Sequence, residues 1–234
     1  MRSDLSRPAT VGVLLIPVLL VAFVAGIGQP SVHYFFDMAA TRDMGTILAS
    51  LPLSRTGAID FVYHALRHLE GPVNFIVTNL YYSLVGNVVG LGPWVASLPH
   101  IGFAAVTAGF AYALGHRLYS QKFGFVFAAL FLLTPWLAPT ARLAALYPTI
   151  TCMFEIMVIY FVTMLVVHPT RVLYRVVAPL SLAVYLAHGL DWPAFGIFLV
   201  VYLFLMRGFR KFIFNYFNLI PAAVVLIFLY WSSY

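Results

Sequence analysis

An all-α integral membrane protein of about seven helical spans is the fold this sequence predicts, and three observations carry that expectation. The 234-residue chain is 63% hydrophobic and only 9% charged, whereas soluble domains carry about 25% charged residues. Its apolar residues gather into runs of roughly membrane-spanning length. Its basic residues sit in short clusters between those runs. The net charge of +6 therefore reads as the loop charge of a membrane protein, and nucleic acid is not expected as a partner.

The first run, Ala9–Gly28, contains no charged residue, and about 20 apolar residues suffice for a helix to cross the hydrocarbon core. A cleavable signal peptide would have a shorter apolar centre, so this run reads as a retained anchor. Pro17 is acceptable there where neighbouring helices satisfy the freed carbonyl. Further apolar stretches fall at 73–91, 95–114, 123–138, 149–167, 176–189, 193–206 and 212–231.

Treating every stretch as a span, with the N-terminus inside, would leave Arg117, Lys122, Arg171 and Arg175 outside. Laying 73–91 along the membrane surface removes the conflict. Asn79, Ser83 and Asn87 then form a polar row, and Ile76, Leu80, Leu84 and Val88 an apolar one, as on an interfacial helix. Nine of the thirteen basic residues become cytoplasmic, in the clusters Arg2/Arg7, Arg117/Lys122, Arg171/Arg175 and Arg207/Arg210/Lys211. Asp37, Asp43, Asp60, Glu70 and Asp191 all fall outside.

The run 176–206 is expected to break at His188-Gly-Leu-Asp-Trp-Pro193, because one continuous helix would bury Asp191 in mid-membrane. The expected organisation is a single membrane domain over 1–234. Its parts are a tail and first span (1–28), a long external loop with juxtamembrane helices (29–94) and six further spans (95–234). Such a protein has its N-terminus cytoplasmic and its C-terminus external, with Tyr230, Trp231 and Tyr234 as an aromatic belt.

Three groups on the external face could carry chemistry. His33 and Asp37 stand four residues apart, followed by Arg42-Asp43, and a carboxylate there could act as a general base or simply be a solvated loop acid. His64 and His68, followed by Glu70-Gly-Pro72, have the spacing at which two histidines on one helix can share a metal. The glutamate that hydrolytic zinc sites place after the first histidine is absent. A loop that packs onto the surface helix is therefore the default for this group; no cofactor is firmly called for, and a divalent metal is the one addition the pair admits. Arg142, before Tyr147-Pro148, suits a phosphate through its planar fork or anchors to lipid headgroups. Glu155, within the fourth span, either serves function or is paired or protonated. The lone Cys152 excludes an internal disulfide.

The order of these segments resembles the GT-C superfamily of polytopic glycosyltransferases, in particular the bacterial dolichyl-phosphate-mannose mannosyltransferase and ArnT-like group. The likeness runs over about residues 30–205: His68-Leu-Glu-Gly-Pro72, a surface helix ending Val85-Gly86, the Leu98-Pro99 step, Tyr112–Tyr119, Phe127–Pro135 and Ala141-Arg142…Tyr147-Pro148. The resemblance implies sugar transfer from a polyprenyl-phosphate carrier to an acceptor on the outer face of a bacterial inner (plasma) membrane. It implies Asp37 or Asp43 as base and Arg142 at the carrier phosphate, where a fixed cation stabilises developing charge. Tyr147, His68, Glu70 and His33 would complete the substrate site. Membrane lipids, the polyprenyl-phosphate sugar and partner membrane subunits are the expected partners. The alternative is a non-catalytic subunit or scaffold derived from the same fold.

Overall fold

Apolar runs punctuated by Pro, Gly and Asn become helices throughout the residues described by the computed structural model, which are 81, 84–85, 88–89, 93–133, 146–188 and 192–232. Among them are seven α-helices and one 3₁₀ turn, with no strand. In order these are α1 (Pro93–Leu118), α2 (Gln121–Leu132), α3 (Leu146–Val167), α4 (Val172–His188), α5 (Trp192–Leu205), α6 (Phe209–Ile213), the 3₁₀ turn Tyr216–Asn218, and α7 (Leu219–Ser232). The chain divides into two compact units, one comprising 1–50 and 78–153, the other 51–77 and 154–234. The division falls within α3, after Met153.

In the first unit α1 and α2 pack together as a helical pair. The connection is short because Ser120 caps α2, its hydroxyl accepting from the Phe123 amide at 3.2 Å. Such a cap satisfies a backbone donor that the first turn leaves unpaired. Small residues at intervals of four let the backbones approach: Ala104 and Ala108 on α1, Gly124 and Ala128 on α2. A Cβ at Gly124 would stand 2.7 Å from the Tyr112 carbonyl, and one at Gly115 would stand 2.9 Å from the Gly124 Cα. The core continues through Leu132, with Ile101, Tyr112 and Cys152 packed beside it. Tyr81 donates its hydroxyl to the Val95 carbonyl at 2.8 Å, and partial burial raises its pKa above the usual tyrosine value.

The second unit is built on larger side chains. Ile156, Val158, Val162, Met164 and Leu165 of α3 are all buried. They point in every direction around the helix, as in a helix enclosed by its neighbours. Each such side chain contributes about 1.5–3 kcal/mol on leaving water. α4 packs against α7, and the Tyr185 and Phe195 rings meet at 4.5 Å on either side of the break between α4 and α5.

The expected seven spans are corrected by helix length and composition. Among the described residues one helical segment, Ile150–Val167, is long and apolar enough to cross a membrane. Most of it is buried within the protein. The 14 residues of α5 extend about 21 Å at 1.5 Å per residue, short of a hydrocarbon core of about 30 Å. α2 and α7 are no longer than that, and α4 carries Arg175 and Pro179 within its 17 residues. α1 is longer but contains Pro99 and ends on His116 and Arg117. What stands is an all-α fold. The inner-membrane location and the inside/outside assignment of the termini rested on the seven-span count, and they fall with it.

Candidate docking face

α5 is the helix whose sequence and placement disagree most. Its inward row is Phe195, Leu199 and Leu203, spaced by four and all buried. An amphipathic helix would be polar on the opposite side, yet this one is apolar there too. Ile197, Phe198, Val200, Val201, Phe204 and Leu205 are all exposed, Ile197 at 68% and Leu205 at 79%. No residue of α5 carries a charge.

The outward surface has relief. Ile197, Val201 and Leu205 make a ridge at intervals of four. Beside it Gly196 begins the row Gly196, Val200, Phe204, and a Cβ at Gly196 would meet nothing within 4 Å. A ridge next to a notch is the shape through which helices interdigitate. Exposed apolar side chains also stand on α4 (Val172, Leu173 and Leu180) and on α7 (Leu219, Ile220, Leu226 and Ile227).

A polar pair fixes this face on the unit. The Thr163 hydroxyl of α3 lies 2.6 Å from the Ile159 carbonyl, to which it donates. With that proton committed, the Tyr202 hydroxyl of α5 is the donor in the Thr163–Tyr202 bond. Thr163 is fully buried, so its hydroxyl meets its hydrogen-bonding needs away from water through these two bonds. The bond sets the rotation of α5 about its own axis and so decides which row faces outward.

Of the site residues expected from sequence, His33, Asp37, Asp43, His68, Glu70 and Arg142 lie outside the described residues. Tyr147 falls in the first turn of α3. Glu155 lies on α3, half-buried and engaged by neighbouring groups. Among the described residues no three His, Cys, Asp or Glu side chains gather as metal ligands would. Sequence reading passed over the ridge on α5 because an all-round apolar run looks the same whichever side is covered. The Thr163–Tyr202 bond joins residues 39 apart and leaves no local signal.

No protein-family model, no curated protein and no solved structure matches this chain. The resemblance to GT-C glycosyltransferases is therefore not sustained, neither for an active transferase nor for a subunit derived from one. Sugar transfer from a polyprenyl phosphate needs a multi-span scaffold, and the described residues hold one segment of spanning length. The lipid, carrier-sugar and membrane-subunit partners inferred from that scaffold go with it.

Proposed function

We propose that this chain is a helical assembly module that associates with a second copy of itself through the outer face of α5. The observation that carries this reading is the exposed, charge-free ridge Ile197/Val201/Leu205 beside the notch at Gly196. Large exposed apolar patches mark interaction surfaces. A face without charge has no electrostatic means of selecting a different partner. A ridge and a notch on one helix are self-complementary, which suits the two-fold pairing common among homo-oligomers.

The test is the mass of the purified chain in nonionic detergent, measured by light scattering after size-exclusion chromatography. An assembly of at least two 26.0 kDa chains is expected, reverting to one chain in Ile197→Glu/Val201→Glu. Both positions are exposed, so helicity by circular dichroism should be unchanged. A wild-type chain that stays single at all concentrations would overturn the reading. A single chain whose α5 is protected from hydrogen exchange only in lipid would assign the face to a bilayer instead.

A further inference from the structure

At one end of the second unit positive charges gather, with no carboxylate beside them among the described residues. The last turn of α3, the turn to α4 and the segment Arg207–Asn218 are tied together there. Lys211 donates from Nζ to the Val166 carbonyl at 3.0 Å. Asn215 donates from Nδ2 to the Arg175 carbonyl at 2.7 Å. The Arg175 guanidinium sits 5.0 Å from the centre of the Tyr216 ring, within the range of a cation–π contact. Gly208 lies so close to Val166 that a Cβ would overlap its side chain. Arg207, just before it, takes a left-handed φ of 52°, turning the chain back onto the end of α3.

This arrangement collects Arg171, Arg175, Arg207, Arg210 and Lys211 on the linked turns, with His168 stacked on Tyr174 beside them. Arg171, Arg207, Arg210 and Lys211 are exposed. Among the described residues the only carboxylate is Glu155. It lies 11 residues back along α3 from Val166, about 17 Å at helical rise, roughly two Debye lengths away at physiological salt. Like charges gathered without a counter-charge raise the energy of the folded state and lower that of any anion beside them.

We propose that this end of the second unit is a binding site for phosphate groups. Four of its five cations are arginines, whose planar forks match phosphate oxygens with paired hydrogen bonds. A phosphate monoester brings up to two negative charges and three acceptor oxygens, enough to engage several side chains together. Two of the cations are already held in place, Lys211 on a helix-end carbonyl and Arg175 on an aromatic ring. The ligand is a soluble phosphate, inorganic or a monoester, whose oxygens these side chains engage in the same way.

The test uses the full chain in nonionic detergent. One arm is equilibrium dialysis against radiolabelled inorganic phosphate. The other is flotation with phosphatidylcholine vesicles, with and without phosphatidic acid. Retention of inorganic phosphate is expected, weakening as sodium chloride is raised. Each arginine removed in Arg171→Gln and Arg210→Gln should weaken it by up to about fivefold. Lys122→Gln, in the other unit, should leave it unchanged. Absence of retention, equal binding by the double variant, or binding seen only as flotation with phosphatidic acid overturns the proposal. Both arginines are exposed, and circular dichroism of the variants separates lost binding from lost folding.

Discussion

The two units reach dense helix packing by opposite routes. In the first, α1 and α2 come together because glycine and alanine remove side chains from between them, so the contact is largely backbone against backbone. In the second, α3 buries large aliphatic side chains of its own, and the turns at its end are tied by side chains donating to distant carbonyls. A small-residue contact tolerates no added atom, while a large-residue contact tolerates no missing one. The two should therefore fail under opposite substitutions.

The largest effect is expected from truncation in the second unit. Ile156→Ala, at a position 1% exposed, should lower unfolding stability by about 2–5 kcal/mol as transfer energy is lost and a cavity opens, read by denaturant unfolding followed by circular dichroism. Addition should do the damage in the first unit. Gly124→Ala would gain up to about 1 kcal/mol from helix propensity. The Tyr112 carbonyl at 2.7 Å should reverse that into a net loss of about 1–3 kcal/mol, the usual penalty of overpacking. Gly109→Ala, with nothing within 4 Å of the new methyl, should stabilise. If both glycine variants shift the unfolding midpoint in the same direction, the distinction between the units is wrong. The smallest effect is expected from Tyr202→Phe. It deprives buried Thr163 of its inter-helix donor and should lower stability by about 0.5–1.5 kcal/mol. Thr163→Val added to Tyr202→Phe should cost little more, since the partner is already gone; a fully additive double variant would show that the two hydroxyls act independently.

Helix positions were legible in the sequence because punctuation is local. The break after His188 falls at the Gly-Leu-Asp-Trp-Pro stretch, and α5 starts with proline in its first turn, where a missing amide does no harm. The stretch 212–231 was less transparent. It reads as one apolar run, yet the chain leaves the helix after Ile213 and resumes it at Leu219. Asn215 and Asn218 turn their amides onto the Arg175 and Phe212 carbonyls, the side-chain competition with helical bonding expected of asparagine. Hydropathy could not separate a helix enclosed by protein from one enclosed by lipid, and the seven-span expectation failed on that ambiguity. The face of α5 shared it, since Phe195 and Ile197 differ in burial but not in apolar character.

The Lys211–Val166 bond has a consequence for the order in which the chain can be completed. A helix leaves its last carbonyls unpaired and its C-terminal end partly negative, and at α3 a cation 45 residues downstream meets that need. A polypeptide emerging from the ribosome finishes α3 long before Lys211 is made. Through the synthesis of α4 and α5, that helix end must rely on water or another passing donor, and it is closed only once the turn at Arg207 and Gly208 has swung back. The final turn of α3 is thus among the last parts of the second unit to be secured, although it is translated well before the segment that secures it.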